Sequence, residues 1–222
     1  QFHTVLLAAA KVGGIAANQR FPANFIQENV CIQNNVINSA FGIGVENMIF
    51  LGSSCIYPRD CLQPIKEQYL LDGPLEPTNR AYAVAKIAGI EACWAHNRQH
   101  GTRYIAVMPT NLYGPGDNYD LETSHVLPAL IRKVHEAKQR NLPKVSVWGT
   151  GLVWREFLYS DDLAEACLFL LDCPTEDLGP LFNKHHPPLI NVGMGIELQI
   201  RELVSKVIKV VGYNGSIKWD RS

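Results

Sequence analysis

Apolar runs and amphipathic stretches alternate along the first half of the chain. Thr4 to Ala10 is almost wholly apolar, as in a strand buried inside a parallel sheet, and Asn47 to Leu51 and Tyr104 to Pro109 have the same character. Between these runs, Asn24 to Phe41 and Ala81 to Gln99 carry apolar residues at helical spacing. Strands that alternate with helices in this way predict right-handed parallel crossovers and a doubly wound sheet.

The second half continues less regularly after a loop at Gly114 to Asp117. Asp161 and Asp162 are placed to cap the amino end of a helix. We therefore expect an α/β fold, with a Rossmann-like doubly wound parallel sheet and a smaller second lobe. The elements predicted for this half are helices from Val126 to Gln139, Leu163 to Leu171 and Ile200 to Val211, and strands at Lys144 to Trp148 and Ile190 to Val192.

A dinucleotide-binding sheet normally carries G-x-G-x-x-G between its first strand and first helix, where helix-terminal amides meet the pyrophosphate. No such motif occurs among the 222 residues. The glycine pairs 149/151 and 193/195 lack the third glycine and the flanking strand and helix, so they indicate turns. Either the protein binds no dinucleotide, or that part of the fold precedes residue 1. The abrupt apolar start at Thr4 favours the second interpretation.

Composition and charge argue against several classes of function. Charged residues make up 18% of the chain and the net charge is −1, so we expect no nucleic-acid partner. The longest apolar run, Val5 to Ala10, is too short to cross a bilayer, so we expect no membrane association. The cysteines include no C-x-x-C pair. This pattern argues against a metal site and, with no recognisable secretory segment, for the reducing cytoplasm.

The candidate chemistry begins with Tyr82 and Lys86, which are four residues apart on a predicted helix. This spacing puts both side chains on one face, so we expect the ammonium to lower the pKa of the Tyr82 phenol. Ser53 lies just past a predicted strand end and can hydrogen-bond the substrate oxygen that Tyr82 protonates. By itself a Tyr-x-x-x-Lys pair is usually a packed ring beside a solvated charge. With the serine upstream, the three residues predict a catalytic arrangement that donates a proton to a carbonyl group.

The chain resembles the extended short-chain dehydrogenase/reductases that act on nucleotide sugars, over essentially all of its length. The segments Gly52 to Pro58 and Ser124 to Pro128 are the specific ones, because the Ser-Ser-Cys and Ser-His sequences in them are not shared by the broader superfamily. The other segments that carry the resemblance are Ala8 to Gly14, Tyr82 to Lys86, Pro109 to Pro115 and Trp148 to Gly151.

The resemblance implies an NADPH-dependent enzyme that epimerises C3 and C5 and then reduces C4 of GDP-4-keto-6-deoxy-mannose, giving GDP-L-fucose. The chemistry is coherent, because a C4 ketone acidifies the hydrogens on both neighbouring carbons, and one site that stabilises the C4 oxyanion serves every step. The resemblance also implies a dinucleotide-binding part at 1–116 and 156–195, and a substrate-binding lobe at 117–155 and 196–222. We expect the first to be incomplete at the amino end and the second at the carboxyl end.

Five residues take catalytic roles by this resemblance, with Cys55 and His125 as the base and the acid of the epimerisations. A thiol near the positive charge of the cofactor can ionise, and an imidazole titrates near neutral pH. If extended geometry continues past Ser53, the side chains of Ser53 and Cys55 point to the same side of the strand end. The simpler alternatives are that Cys55 is a small buried hydrophobic residue and that His125 is an ordinary residue at a helix start. The catalytic set is Ser53, Cys55, Tyr82, Lys86 and His125.

The resemblance also assigns contacts to the substrate and the cofactor. By this resemblance, the substrate contacts are Lys133, Trp148 and Arg155. The arginine suits this role because it can hold a diphosphate through paired hydrogen bonds. Lys133 stands where bacterial members of the family have an arginine, so it supplies charge without the guanidinium fork. The simpler alternatives are a core aromatic for Trp148 and a partner of Glu156 for Arg155. The residues assigned to NADPH are Leu51, Gly52, Ser53, Ser54, Lys86, Pro109, Thr110, Asn111, Leu112 and His125.

A homodimer is implied as well, because related enzymes commonly pair through the helix at Ala81 to Gln99. Ile87, Ile90 and Trp94 form an apolar stripe on that predicted helix.

Two alternatives stay open at this point. One is a 4-epimerase or a 4,6-dehydratase of the same family, although a dehydratase usually has an Asp-Glu pair where this chain has Ser54 and Cys55. The other is an inactive fragment or binding module that keeps the catalytic residues.

Overall fold

The computed structural model describes residues 2–174 and 176–221. The strands are β1 (Thr4–Leu7), β2 (Asn47–Leu51), β3 (Arg103–Pro109), β4 (Asn111–Tyr113), β5 (Lys144–Trp148), β6 (Trp154–Tyr159), β7 (Leu189–Val192), β8 (Glu197–Gln199) and β9 (Ser216–Asp220). The helices are α1 (Ile15–Arg20), α2 (Pro22–Gly42), α3 (Arg80–His100), α4 (Val126–Gln139), α5 (Ser160–Asp172) and α6 (Ile200–Val211). Single 3-10 turns lie at Ser54–Ile56, Glu67–Tyr69, Pro77–Asn79 and Gly179–Leu181.

The chain divides into two compact units. The first comprises Gln1–Thr110 and Asp161–Val192, and the second comprises Asn111–Ser160 and Gly193–Ser222. The assignment of a cofactor-binding role to one part of the chain and a substrate-binding role to the other stays a prediction.

The first unit is built on a parallel sheet with the strand order β1-β2-β3-β7. Alternate residues of the two central strands, among them Phe50 and Met108, are buried in one core with residues of α2 and α3. Their neighbours Ile49 and Val107 are buried as well. Strands buried on both faces need near-continuous apolar sequence, which explains why β2 and β3 lack alternation. The predicted Rossmann-like α/β architecture is therefore confirmed.

The strand predicted at Thr4 to Ala10 is shorter and less buried than expected. It ends at Leu7, which is its one buried residue, and Leu6 keeps 44% of its surface exposed. β1 lies at the end of the sheet order, so among the described residues it is hydrogen-bonded to a neighbouring strand, β2, along one edge only. The strand is therefore shorter than predicted, and among the described residues it pairs with β2 alone.

The predicted dimer stripe on α3 is also corrected. Ile87 and Ile90 are 8% and 0% exposed and belong to the core of the first unit. α3 ends at His100, and the φ of 72° at the next residue, Gly101, is the left-handed conformation that glycine adopts easily at a helix terminus. The apolar face of the helix therefore packs against its own sheet, and Trp94 alone of the three stripe residues stays half-exposed.

The second unit has its own core. Its sheets are β4-β6-β8, in which β8 is antiparallel to β6, and the parallel pair β5-β9. Residues of α4 and α6 such as Val134 and Val207 pack with Val147 and Phe157. The bounds predicted for α4, α6 and β5 are confirmed.

Asp161 and Asp162 lie inside the first turn of α5, which begins at Ser160, so they do not precede the helix as predicted. Carboxylates in a first turn still favour the helix dipole. In the part of the chain that the structure describes, no helix is both long and apolar enough to span a membrane.

Candidate active site

The carboxyl ends of β2 and β3 form the edge of the first unit where the candidate residues gather. Gly52 follows β2, and its N–H donates to the Val107 carbonyl oxygen over 2.8 Å. A Cβ at this position would lie 1.9 Å from Cε of Met108, so glycine leaves room for the Met108 side chain. The Ser53 N–H contacts the Met108 sulfur at 3.2 Å. In open α/β sheets, ligands bind beyond this edge.

Ser53 and Cys55 are held by a tight turn. Ser53 is extended, with φ −162° and ψ 145°, but the next three residues form the 3-10 turn Ser54–Ile56. The Ser53 hydroxyl oxygen accepts a hydrogen bond from the Cys55 N–H over 3.4 Å and so caps this turn. The expectation that extended geometry continues from Ser53 to Cys55 was therefore wrong. Ser54 is exposed, whereas Ser53 and Cys55 are half-buried.

Tyr82 and Lys86 lie one turn apart on α3, as predicted. Lys86 is buried, and its Nζ donates to the Leu51 carbonyl oxygen over 2.8 Å. The ammonium lies 4.9 Å from the centroid of the Phe50 ring and 5.8 Å from that of Tyr82. Cation–π contacts of this kind stabilise a cation that has lost most of its water.

The acid–base properties of this group follow from burial. Loss of solvent raises the pKa of Cys55 to about 11 and lowers the pKa of Lys86 to about 8. It also raises the pKa of the Tyr82 phenol well above its ordinary value, with the Cys55 charge acting in the same direction and a hydrogen bond with Ser53 opposing it. The predicted lowering of the Tyr82 pKa by Lys86 is therefore corrected. At neutral pH the phenol and the thiol are both protonated.

The segment after β3 offers polar groups at the same sheet edge. The Thr110 N–H donates to the Val192 carbonyl oxygen over 3.1 Å, which continues the pairing of β3 with β7 beyond Pro109. The Thr110 hydroxyl is buried and has no hydrogen-bond partner among the described residues. Lys86 has three ammonium donors and directs one of them to Leu51. These groups fit a polar ligand at the edge, such as the nicotinamide and ribose of a dinucleotide.

The remaining candidates lie in the second unit. His125 is exposed and occupies the N-cap position of α4 without a side-chain capping bond. Lys133 is half-buried on the same helix. Trp148, at the end of β5, is 63% exposed, so it is not a core aromatic. Arg155 is exposed in β6 and donates to the Trp154 carbonyl oxygen over 2.7 Å.

The contacts of Glu156 test the alternative that Arg155 is its partner. Glu156 accepts a hydrogen bond from the Gly195 N–H over 2.6 Å, and among the described residues no ion pair joins it to Arg155. Asn111, in the segment assigned to NADPH, is exposed and donates from Nδ2 to the Glu156 carbonyl oxygen over 2.9 Å. Leu112 follows it in β4 and is half-buried.

Three buried residues of α2 make contacts that were not predicted. The Phe25 ring meets the Tyr82 ring edge-on, with centroids 6.2 Å apart. Asn29 and Gln33 are both 2% exposed and bond to backbone groups outside α2. The sequence pattern that indicates Asn29 and Gln33 is the occurrence of two amide side chains on the apolar side of a predicted helix, because buried amides need hydrogen-bond partners.

The described residues contain no cluster of three or more histidine, cysteine, aspartate or glutamate side chains that could hold a metal ion.

Comparison with known proteins agrees with this architecture. A profile of the NAD dependent epimerase/dehydratase family matches residues 1–184. The GDP-L-fucose synthase of Sinorhizobium fredii is 53% identical over 220 residues, which are 99% of this chain and 67% of that protein. A probable GDP-L-fucose synthase of Oryza sativa is 56% identical over 221 residues, 98% of this chain and 64% of that protein. The chain thus spans about two thirds of the length of these relatives.

A solved structure is similar over nearly the whole chain as well. It is a GDP-D-glycero-L-gluco-heptose synthase from Campylobacter jejuni, determined in the presence of NADPH. Its TM-score is 0.90 at 36% identity, with 99% of this chain and 73% of that one covered. The chain therefore belongs to the NAD dependent epimerase/dehydratase family, within which it is similar to GDP-L-fucose synthases over nearly all of its residues.

Proposed function

We propose that this chain carries the catalytic residues of an NADPH-dependent enzyme that converts GDP-4-keto-6-deoxy-mannose to GDP-L-fucose. In this reaction C3 and C5 are epimerised and the C4 ketone is then reduced. The proposal draws on the identity with GDP-L-fucose synthases and on the NADPH-associated structural relative.

The observation that carries the proposal is the grouping of Ser53, Cys55, Tyr82 and Lys86 beyond the end of β2. Ser53 bonds the Cys55 backbone and Lys86 bonds the Leu51 backbone. Cys55 lies close enough that a thiolate there would raise the pKa of both Tyr82 and Lys86. A proton donor, a thiol and a cation thus share one small region, as a carbonyl reduction coupled to proton abstraction requires.

In the reduction, Tyr82 donates its phenolic proton to the C4 oxygen. Because burial raises the pKa of this phenol, the proton is present throughout the neutral range. The Ser53 hydroxyl holds the same oxygen by a hydrogen bond, and the Lys86 ammonium stabilises the phenolate that remains. NADPH, when bound, supplies the hydride that C4 receives, and Lys86 and Thr110 are the residues that fit its ribose and nicotinamide.

In the epimerisations, Cys55 removes a proton from the carbon beside the ketone, and His125 returns one to the opposite face. The thiol must first lose its own proton, and its pKa of about 11 shows that the described residues alone disfavour this loss. A positive charge brought beside the sulfur lowers such a pKa.

The second unit supplies the proposed grip on the GDP part of the substrate. Arg155, Lys133 and Trp148 offer a guanidinium, an ammonium and an exposed indole ring. The guanidinium fork suits a diphosphate, and an exposed aromatic ring suits a sugar or base face.

We further propose a cytoplasmic homodimer. All six cysteines are free thiols, as suits a reducing compartment. Since Ile87 and Ile90 are buried, the contact face on α3 would use its outward residues, among which Val84 is 39% exposed.

The proposed function is tested by supplying the full-length protein with GDP-4-keto-6-deoxy-mannose and NADPH. We expect one NADPH oxidised for each GDP-L-fucose formed, identified by chromatography and NMR. Conversion of GDP-mannose or UDP-glucose without net loss of NADPH would instead identify an epimerase or a dehydratase. Failure of the protein to convert any of these substrates would contradict the proposed function.

A further inference from the structure

One side of α2 carries three buried side chains, two of which contact α3. Phe25, Asn29 and Gln33 follow each other at intervals of four residues, and each is 2% exposed. Phe25 meets the Tyr82 ring of α3 edge-on. Helical spacing of this kind aligns the three side chains on a single face. Two of them are amides, whose burial is unfavourable unless they are hydrogen-bonded.

Gln33 bonds directly to the catalytic helix. Its Nε2 donates to the Ala85 carbonyl oxygen over 2.7 Å. Ala85 lies between Tyr82 and Lys86, so this bond fixes the turn of α3 that carries both side chains. Next to it is Gly89, where a Cβ would lie 2.8 Å from Oε1 of Gln33 and 2.4 Å from Cζ of Phe50. The absence of a side chain at position 89 lets α2, α3 and β2 approach closely.

Asn29 bonds to a different segment at the same sheet edge. Its Oδ1 accepts from the Lys11 N–H over 2.9 Å, and its Nδ2 donates to the Lys11 carbonyl oxygen over 3.0 Å. The side chain thus pairs with Lys11 as a neighbouring strand would. Lys11 lies beyond β1, and β1 is parallel to β2, so this segment and Ser53 follow the carboxyl ends of adjacent strands.

We propose that Asn29 and Gln33 are positioning residues of the active site. Gln33 holds the Tyr82 and Lys86 turn of α3 in register with β2, and Asn29 holds the segment after β1 beside the same edge. This inference rests on the proposed function for its kinetic consequences and on the hydrogen bonds above for the rest. Neither residue touches the reacting atoms in this account, and both act through backbone groups.

The positioning role predicts a specific kinetic pattern. A small displacement of the Tyr82 phenol from the C4 oxygen slows proton transfer, while the groups that bind GDP stay in place. Gln33→Met keeps the length of the side chain and removes the amide donor. We expect this variant to lose about tenfold in kcat, with KM for the GDP-sugar within about twofold of wild type. Gln27→Met, on the exposed side of the same helix, is the matched control.

The decisive readout is the pKa of Lys86, measured in the full-length protein by competitive labelling of its lysines with acetic anhydride. In wild type we expect a pKa of about 8 for Lys86. In Gln33→Met the loosened turn admits water, so this pKa should rise toward the ordinary lysine value. Gln27→Met should leave it unchanged. For Asn29→Leu, hydrogen exchange should show lost protection of the Lys11 amide, while Asn34→Leu, which is exposed, should not.

An unchanged Lys86 pKa or an unchanged kcat in Gln33→Met would overturn the positioning role of Gln33. A lower melting temperature without those two changes would overturn it too, because Gln33 would then contribute to stability alone. Retained protection of the Lys11 amide in Asn29→Leu would overturn the role of Asn29. If the wild-type protein reduced no GDP-sugar, the proposed function would fail, yet the lysine labelling and hydrogen exchange would still decide the positioning roles.

Discussion

Lys86 is bonded through its Nζ to the carbonyl oxygen of Leu51, at a distance of 2.8 Å. The bond joins the second turn of α3 to the last residue of β2, directly before Gly52 and Ser53. One side chain therefore stabilises the fold at the sheet edge and places a cation within 5.8 Å of the Tyr82 ring. Burial favours the neutral amine and lowers the pKa of Lys86 to about 8. The charge of Lys86 therefore depends on pH close to the neutral range.

Activity should decline as the pH rises through about 8, the pKa of Lys86. Below this pH the ammonium is present for its proposed roles, which are a bond to the ribose and stabilisation of the Tyr82 phenolate. Above it the neutral amine does neither. The measurement is kcat/KM for NADPH between pH 6 and pH 10, since this ratio reports groups of the free enzyme. A profile that stays flat to pH 9.5 would contradict the role of Lys86, and Lys86→Met should be weakly active without this decline.

Cys55 should be a slow nucleophile in the absence of cofactor. With a pKa of about 11, it holds roughly a hundredfold less thiolate at pH 7 than an ordinary cysteine. Mass spectrometry after timed alkylation with iodoacetamide gives the rate at each cysteine separately. We expect the Cys55 rate to climb steadily with pH and to show no plateau below pH 10. Cys31, which is exposed, is the internal reference for reagent activity. Rapid labelling of Cys55 at pH 7 would show that its thiol is already activated.

Gly89→Ala should destabilise the protein by about 1–3 kcal/mol, because the new methyl group overlaps the buried Phe50 ring. Chemical denaturation measures the change in the free energy of unfolding. Phe50→Leu in the same chain should restore part of the loss by making room. Gly42→Ala at the end of α2 is the control, since nothing lies within 4 Å of a Cβ there. Equal effects at the two glycines would show that helix propensity, and not packing, decides the outcome.

Local sequence patterns predicted the elements well where one face of a helix or strand is apolar. α4, α6 and β5 begin and end at the predicted residues, because their apolar positions repeat with a clear period. Tyr82 and Lys86 also lie as expected, since a spacing of four on a helix fixes their common face.

Tertiary contacts account for what the sequence did not predict. The pKa of Tyr82 depends on how deeply α3 is buried, which no spacing reveals. The turn at Ser54–Ile56 depends on the bond from the Cys55 N–H to the Ser53 hydroxyl, and the same residues in sequence also permit an extended strand. The contacts of Gln33 join residues 52 positions apart, which lies beyond the reach of periodicity.

Arg155→Gln should weaken binding of the GDP-sugar. Removal of a charge-assisted pair of hydrogen bonds to the diphosphate should raise KM roughly tenfold or more, with kcat within about threefold of wild type. Steady-state kinetics at saturating NADPH give both constants. Arg140→Gln is the matched control, because Arg140 is exposed and bonded to Glu136. A KM as low as that of the control would remove Arg155 from the proposed substrate site.

The proposed roles of Tyr82 in reduction and Cys55 in epimerisation can be distinguished by measuring two reactions on the same variants. Solvent deuterium entering C3 and C5 of the substrate, with NADP+ in place of NADPH, reports the epimerisation chemistry alone. Oxidation of NADPH reports the reduction. Cys55→Ser should abolish deuterium entry, whereas Cys31→Ser and Tyr69→Phe should behave as wild type in both assays.

The most direct test of the account is the Tyr82→Phe variant in this pair of assays. The change removes the phenolic proton and leaves Cys55 and His125 in place. We expect deuterium still to enter C3 or C5 within about tenfold of the wild-type rate, while NADPH oxidation falls by about a thousandfold or more. If both rates fall together in a folded protein, or if reduction survives, Tyr82 is not the proton donor to C4.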